Sequence, residues 1–363
     1  MKVAQIAAFG GQCVESDRIY GGLGRFLEEI VVPMRAMEID VMTIDVNQAT
    51  LVAATQAAID KEWDKLADIG HKVIGNIQAD IYHLHDWYGA VVLDHLFQTG
   101  TRSIVATSHL PLRRGFTYRD SGLSWHSKSV LESRCFNAVK YVTAPSEYVK
   151  GFLVEEYGLA ANRIPVIPHG VNTSNFAFDE LLQADSRLVR LLAVGRITDQ
   201  KGFELLVRAM PTILGNEPTA TLTIVGDGGA KPALVNLISD LRLGSYVEVK
   251  PSMEKNALAV EYSGATLLVV PSQFEPFGLV GLEAMACGCP VLAIAPTGAA
   301  EYLESSELTP NYQIAELGHA IVHRLQELRR SANPRHDVSV RAEKFTWEKA
   351  AASYASLYKK LTP

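Results

Sequence analysis

The chain has no run of apolar residues that approaches the length of a membrane-spanning helix, which needs about 20 of them. It also lacks an excess of positive charge, since its 363 residues include 34 Lys and Arg against 40 Asp and Glu. A general nucleic-acid-binding surface is therefore not expected, because such surfaces are basic. The first residues, MKVAQIAAFGG, lack the apolar core and cleavage site of a signal peptide, and we interpret them as part of a cytoplasmic fold.

Cysteine is scarce. The four cysteines are Cys13, Cys135, Cys287 and Cys289, and only the last two are close in sequence, as Cys-Gly-Cys. A metal site would need further Cys or His ligands near this pair, and the sequence has none there. We therefore expect small, partly buried thiols of a cytosolic protein and no bound metal.

Apolar strands alternate with helical patterns in both halves of the chain. The strands predicted in the first half are 2–9, 41–46, 81–85, 103–108 and 141–146. Those predicted in the second half are 190–195, 221–226, 247–250, 265–270 and 291–295. Helical patterns such as 57–77 and 127–139 separate them. This alternation indicates α/β domains with parallel sheets covered on both faces. We predict two doubly wound domains facing across a cleft, with ligands at the strand C-termini.

Two segments set the predicted domain boundaries. Residues 164–176, IPVIPHGVNTSNF, carry the Pro, Gly and Asn residues of a linker, which gives a first domain at 1–168 and a second at 169–344. The last segment, 345–363, is predicted to be mainly helical, with Thr346 as its cap. Its apolar stripe consists of Trp347, Ala351, Tyr354 and Tyr358.

The most informative stretch is PSQFEPFGLVGLEAMACGCPVLA, residues 271–293. It places Glu275 and Glu283 around a Phe-Gly-Leu turn that opens a helix after an apolar strand. The N–H groups of Phe277–Val280 would form an anion site, because the first amides of a helix lack intrahelical partners. Two carboxylates beside such a site suit a ligand that has hydroxyls on both sides of a diphosphate.

A second motif, GRITDQKGF, follows the first strand of the second half. Arg196 and Lys201 flank its loop, and Gly202 opens a helix. Two cations at a strand end, beside a helix start, would neutralise a diphosphate, the Arg as a fork and the Lys as a point charge.

Together, G-R-x4-K-G and E-P-F-G-L-x3-E-A-M-A resemble the motifs of the retaining glycosyltransferases that have the GT-B fold, two Rossmann-like domains. This large family includes sucrose-phosphate synthases and bacterial mannosyl- and N-acetylglucosaminyltransferases. The resemblance covers nearly the whole chain. IPHGVNTSNF is similar to the family's domain junction, with His169 where Asn is more usual, and FTWEKAAASYASLY to the C-terminal helix that usually crosses back onto the first domain.

The resemblance implies roles for residues of the second domain. Arg196 and Lys201 would hold the donor diphosphate, Glu283 the ribose hydroxyls and Glu275 hydroxyls of the donor sugar. The donor-binding residues implied across both domains are Gly21, Gly22, Gly24, Gly195, Arg196, Lys201, Gly226, Glu275, Phe277, Gly278, Leu279, Val280 and Glu283.

In the first domain, the glycine loop YGGLGRF would lie against the diphosphate. Glycogen and starch synthases have a Lys before these glycines, and the Tyr20 found here argues against a glucan synthase. His109, in VATSHLP, would meet the donor sugar. Residues assigned to the acceptor side are His85, Asp86, Trp87, Arg113, Arg114 and Tyr118.

HLHDWYG lacks the spacing of a common metal site, and strand alternation predicts His83 and His85 on one face with Asp86 on the other. A polar strand end with a packed Trp87 explains this motif as well as an acceptor site does.

The predicted activity is transfer of a hexose-type sugar, with retention, from a nucleoside-diphosphate sugar to a small-molecule, glycan or lipid-linked acceptor. UDP is the donor nucleotide favoured by family frequency, and no metal or cofactor is implied. The predicted catalytic residues are His109, Arg196, Lys201, Glu275 and Asp86, with Asp86 as a helper, since the leaving phosphate is described as taking the acceptor proton.

Two other functions stay open: a nucleotide-sugar epimerase on the same fold, and a non-catalytic nucleotide-sugar binding protein. A dehydrogenase would need a G-x-G-x-x-G turn, which GGLGRF does not complete. The chain departs from the family after Glu301, where a D-G-x-x-G-x-L-V segment is usual, so the structure of 302–314 is not predicted.

Overall fold

The computed structural model describes residues 1–8, 22–114, 125–179, 188–309 and 313–362. The chain forms two compact units, the first comprising Met1–His169 with Trp347–Pro363 and the second Gly170–Thr346. Each unit contains one parallel β-sheet with helices between its strands, which confirms the predicted α/β class. Within the described ranges, no helix has both the length and the apolar character that a membrane span requires.

The first unit begins with β1 (Lys2–Ala7), α1 (Gly22–Ala36), β2 (Asp40–Asp45), α2 (Gln48–Ile59), α3 (Trp63–Ile74) and β3 (Ile81–His85). It continues with α4 (Asp86–Gly89), α5 (Leu93–Gln98), β4 (Ile104–Thr107), α6 (Trp125–Ala138), β5 (Tyr141–Thr143) and α7 (Glu147–Tyr157). The strand order is β2-β1-β3-β4-β5. Every residue of β3 and β4 is buried, as expected for central strands covered on both faces.

The second unit begins with β6 (Arg190–Val194), α8 (Phe203–Asn216), β7 (Thr221–Val225), α9 (Lys231–Asp240), β8 (Val247–Lys250) and α10 (Lys255–Gly264). It continues with β9 (Leu267–Val270), α11 (Leu279–Ala286), β10 (Val291–Ile294), β11 (Leu308–Thr309), α12 (Ile314–Arg330) and α13 (Pro334–Ala342). The strand order is β11-β10-β9-β6-β7-β8. Alternate residues of β9 enter two cores: Leu267 and Val269 join one, and Leu268 and Val270 join the other.

The C-terminal helix, α14 (Trp347–Lys359), belongs to the first unit. The predicted apolar stripe is confirmed, because Trp347, Ala351, Tyr354 and Tyr358 are all buried. The stripe also makes polar contacts: the Tyr358 hydroxyl lies 2.8 Å from His83 Nδ1.

The prediction of one helical stretch over 57–77 is wrong. α2 ends at Ile59 and α3 begins at Trp63, and between them Lys61 has a φ of 57°. A residue in this left-handed region interrupts the helical backbone, so the chain changes direction between α2 and α3.

The thiols are more buried than predicted. Cys135, Cys287 and Cys289 are free and fully buried, while Cys13 lies outside the described residues. Burial raises the pKa of Cys287 and of Cys289 to about 12, so both are protonated thiols at neutral pH.

The segment after Glu301 is held by a buried carboxylate. The backbone N–H of Glu304 donates to Glu307 Oε2 at 2.9 Å, which closes a short turn before β11. Glu307 also pairs with Arg324 and Arg341, at 2.9 and 2.6 Å. Its side chain is only 1% exposed, against 12% and 19% for the two arginines. One carboxylate therefore joins the turn to both α12 and α13.

Replacing Glu307 by Ala is expected to lower the free energy of unfolding by about 3–5 kcal/mol, because two largely buried guanidinium groups lose their most buried carboxylate partner. Urea denaturation followed by circular dichroism measures the loss. The matched control Glu327→Ala removes a more exposed partner of the same Arg324 and is expected to cost about 1 kcal/mol or less. Equal losses in the two variants would contradict the role given to Glu307.

Candidate functional site

The strand order of the second unit creates a gap at the carboxyl end of its sheet. From β6 the chain adds β7 and β8 on one side and then returns to add β9 on the other side. The loops that follow β6 and β9 therefore start at adjacent strands and lead to opposite sides of the sheet. Doubly wound sheets bind ligands in the gap between two such loops. The motifs that contain Arg196 and Lys201, and then Glu275, follow these two strands directly.

Lys201 and Glu275 meet in this gap. Lys201 Nζ lies 2.7 Å from Glu275 Oε2, although the residues are 74 positions apart. The Ser272 hydroxyl donates to the same oxygen at 2.9 Å. The side chains of Lys201 and Glu275 are 19% and 9% exposed, so the ion pair is largely shielded from water. Arg196 is half-buried in the loop after β6.

Backbone contacts fix the loops that carry this pair. The Gln200 side-chain amide donates to the carbonyl of Phe274 at 3.0 Å, and the N–H of Gln273 donates to the carbonyl of Gln200 at 2.8 Å. The N–H of Gly298 donates to the carbonyl of Glu275 at 2.7 Å. Two hydrogen bonds thus join the loops after β6 and β9 next to the ion pair, and a third joins Glu275 to the segment after β10.

The helix start differs in one detail from the prediction. α11 begins at Leu279 with Gly278 as its N-cap, so Phe277 precedes the cap and its amide is not part of the first turn. Leu279 and Val280 supply the first helical amides. Gly278 has a φ of 85°, and a Cβ on it would lie 2.8 Å from the Tyr302 hydroxyl. That hydroxyl donates to the carbonyl of Gly278 at 2.5 Å, so this turn requires glycine.

Glu283 is the fifth residue of α11 and is 5% exposed. The Tyr262 hydroxyl donates to its Oε2 at 3.2 Å and orients the carboxylate. Gly195 and Gly226 directly follow β6 and β7, and their φ values of 145° and 156° are ones that residues with a side chain rarely adopt. A Cβ on Gly226 would lie 1.9 Å from the carbonyl oxygen of Gly195, so the two strand-end turns are in direct contact.

In the first unit, β3 and β4 end in a cluster of buried polar groups. His85 Nδ1 lies 3.0 Å from His109 Nε2, and the rings of His83 and His85 lie on the same face with centroids 4.1 Å apart, as alternation predicts. Burial holds the pKa of His85 and of His109 well below the usual histidine value, so both are neutral. Neither His85 Nε2 nor His109 Nδ1 has a hydrogen-bond partner among the residues described.

Asp86 supports this cluster through the backbone. Its Oδ1 accepts the N–H groups of His109, at 2.6 Å, and of Leu110, at 3.2 Å. Asp86 has a φ of 51°, and burial raises the pKa of its carboxyl to about 7. One carboxylate oxygen of Asp86 is therefore already used to hold the segment after β4.

The structure places the remaining predicted first-unit residues in different surroundings. Gly22 and Gly24 lie in the first turn of α1 rather than in a loop before it. Trp87 is buried, and Lys128 Nζ lies 5.4 Å from its ring centroid. Arg113 is exposed, with its guanidinium 4.9 Å from the Tyr157 ring centroid. The backbone of Arg114 ends a short helical turn, Leu112–Arg114. Gly21 and Tyr118 lie outside the described residues.

Several residues of these sites were not predicted. Gln200, Ser272, Tyr262 and Tyr302 act across 3 to 74 positions of sequence, and no periodic pattern marks them. Glu132 of α6 is a further case: its Oε2 accepts the N–H of Leu112 at 3.0 Å, and burial raises its pKa to about 8. A charged residue on the buried face of a helix was the one signal that could have found it.

Comparisons with known proteins agree with this architecture. A family model described as "Glycosyl transferases group 1" matches residues 178–345, and one described as "Glycosyltransferase Family 4" matches residues 61–175. A sucrose-phosphate synthase from Thermosynechococcus elongatus has a TM-score of 0.82 at 22% identity, over 99% of this chain and 98% of that one. Anabaena HepE, in complex with UDP and glucose, has a TM-score of 0.75 at 18% identity, over 99% and 100% of the chains. These likenesses establish the GT-B fold.

Curated relatives match over part of their length. An uncharacterized glycosyltransferase of Methanocaldococcus jannaschii is 29% identical, over 64% of this chain and 62% of its own. A D-inositol 3-phosphate glycosyltransferase of Rhodococcus opacus is 31% identical, over 58% of this chain and 51% of its own. The matches to these two relatives thus span about half to three fifths of their lengths. On its GT-B fold the chain thus carries two glycosyltransferase domains in succession, one matched by the family 4 model over residues 61–175 and one by the group 1 model over residues 178–345.

Proposed function

We propose that the protein transfers a hexose-type sugar from a nucleoside-diphosphate sugar to an acceptor hydroxyl with retained anomeric configuration. The observation that carries this proposal is the meeting of Lys201 and Glu275, 2.7 Å apart, beside the first turn of α11 at the switch in strand order. A cation, a helix start and a carboxylate in one place suit a diphosphate linked to a polyhydroxylated group.

Each group then has a chemical task. Lys201, Arg196 and the amides of Leu279 and Val280 would bind the diphosphate and stabilise the negative charge that grows as its bond to the sugar breaks. Glu283, oriented by Tyr262, would bind the ribose hydroxyls, and Glu275 would bind the sugar. The acceptor oxygen forms the new bond to the anomeric carbon, and its proton passes to the leaving phosphate. No metal is required in this scheme, because fixed cations do the same work.

The first unit would contribute neutral hydrogen-bonding groups. His109 has a buried ring nitrogen that a sugar hydroxyl can satisfy, since the residues described provide no partner for it. Asp86 would act as a positioning residue through the backbone of His109 and Leu110, not as a base. UDP is the favoured nucleotide of the donor. The names of the relatives make D-inositol 3-phosphate the first acceptor to examine.

A thermal-shift screen of UDP, ADP and GDP, with their glucose or mannose derivatives, tests the donor assignment. We expect the ligands of one nucleotide to raise the melting temperature, because ligand binding stabilises the native state. We expect this shift to persist in EDTA. A flat response across the panel would overturn the proposed function. A shift that EDTA abolishes and Mg²⁺ restores would overturn the metal-free scheme alone.

Lys201→Ala is expected to lower kcat by about 10²–10³, the usual loss when one preorganised donor to a developing anion is removed. Turnover of the donor found in the screen, measured as nucleoside diphosphate released, checks this value. The control Lys65→Ala removes an exposed lysine of the first unit that pairs with Glu62, and wild-type turnover is expected. Full activity in Lys201→Ala would exclude the diphosphate role.

Asp86→Asn and Asp86→Ala separate positioning from base catalysis. Asn keeps an oxygen for the N–H groups of His109 and Leu110, so kcat within about tenfold of wild type is expected. Ala frees the segment after β4, and a loss of about 10²-fold is expected from misplaced groups. If Asn were as inactive as Ala, the carboxyl itself would be needed and the positioning role would be wrong.

A further inference from the structure

The ion pair of Lys201 and Glu275 joins two residues to which the proposed function gives different parts of the donor. Lys201 would bind the diphosphate and Glu275 the sugar, yet in the structure the two side chains bind each other at 2.7 Å. Lys201 must therefore share or exchange its carboxylate partner when a diphosphate binds.

The carboxylate of Glu275 cannot easily turn away to water. Its side chain is 9% exposed, and Oε2 accepts the Ser272 hydroxyl at 2.9 Å in addition to Lys201. Its Cγ lies 3.2 Å from the position that a Cβ on Gly278 would occupy, so the N-cap of α11 closes the other side. The hydrogen bonds of Gln200, from its side-chain amide to the carbonyl of Phe274 and from the N–H of Gln273 to its own carbonyl, keep the two loops together.

Removing one partner from a shielded ion pair leaves an uncompensated charge, which is costly. A bare nucleoside diphosphate that draws Lys201 toward its phosphates provides Glu275 with nothing in return. A nucleotide sugar carries hydroxyls next to the diphosphate, and these can donate to Glu275 in place of the ammonium group. The same ion pair thus opposes one ligand and is compensated by the other.

We propose that the Lys201–Glu275 ion pair is a specificity element by which the second unit favours a nucleoside diphosphate that bears a sugar over the bare nucleoside diphosphate. This inference rests on the proposed donor assignment and adds to it a preference for the intact donor over the nucleotide product. The donor is captured against the competing product, and loss of the sugar weakens the hold on the nucleotide that remains.

Glu275→Gln tests the proposal, because Gln keeps an oxygen for Ser272 and for a sugar hydroxyl but has no charge to pair with Lys201. Isothermal titration calorimetry gives Kd for UDP and UDP-glucose, ADP and ADP-glucose, or GDP and GDP-mannose, whichever pair gives the larger thermal shift. We expect Kd for the bare diphosphate to fall about tenfold, while Kd for the nucleotide sugar stays or rises. The preference for the sugar, the ratio of the two Kd values, should drop at least about tenfold.

A matched control removes a carboxylate of similar burial from the same unit. Glu217, 13% exposed, pairs with Arg329 at 2.6 Å, and Glu217→Gln should leave the ratio unchanged. Taking the ratio also removes any general effect of one lost negative charge on the binding of a diphosphate. Parallel changes for both ligands in Glu275→Gln, or weaker binding of the bare diphosphate, would overturn the proposal.

A second measurement needs no variant. Deoxy-sugar analogues of the same donor, each lacking one hydroxyl, are titrated into the wild-type protein. At least one analogue should bind as weakly as the bare diphosphate, because it leaves Glu275 uncompensated. If every analogue binds like the intact donor, the specificity role fails while the donor assignment stands. If no nucleotide binds the wild type at all, both fail together.

Discussion

The site in the second unit depends on one topological constraint, the reversal of strand order at β6. Because β9 pairs with β6 on the side opposite β7, the loops that follow β6 and β9 begin side by side at the carboxyl edge of the sheet. Lys201 and Glu275 come together for this reason, across 74 positions of sequence. A parallel sheet that added its strands in one direction only would place β7 and β8 between β6 and β9 and so separate the two loops by two strands.

Close backbone packing at this edge explains the residues that carry no charge. Gly226 must be a glycine because any Cβ would overlap the carbonyl oxygen of Gly195, and Gly278 because a Cβ would approach the Tyr302 hydroxyl. The Tyr302 hydroxyl that excludes this Cβ also holds the turn in place, because it donates a hydrogen bond to the carbonyl of Gly278. Sterics and hydrogen bonding thus fix the same turn, and with it the start of α11.

Periodicity in the sequence predicted what is local. The bounds of β3 and β8 match the apolar runs, and the two motifs of the second unit lie at strand ends as expected. The single helix over 57–77 was wrong because the left-handed backbone at Lys61 has no periodic signature. Tyr262 and Gln200 were missed for another reason: their hydrogen bonds join separate helices or loops, and only the folded chain specifies such partners. Ser272 bonds within its own loop, whose conformation has no periodic signature either.

The two units hold their buried polar groups in different charge states. In the second unit the site pairs full charges, Lys201 with Glu275, and presents a helix start, which suits an anionic ligand. In the first unit burial lowers the pKa of His85 and His109 and raises that of Asp86 to about 7 and of Glu132 to about 8. Near pH 7 the two histidines are therefore neutral, Glu132 is mostly protonated and Asp86 is about half ionised. Neutral donors and acceptors bind hydroxyls without adding the cost of a buried charge. Under the proposed function, the diphosphate therefore belongs with the second unit, while the polar cluster of the first unit suits uncharged hydroxyl groups.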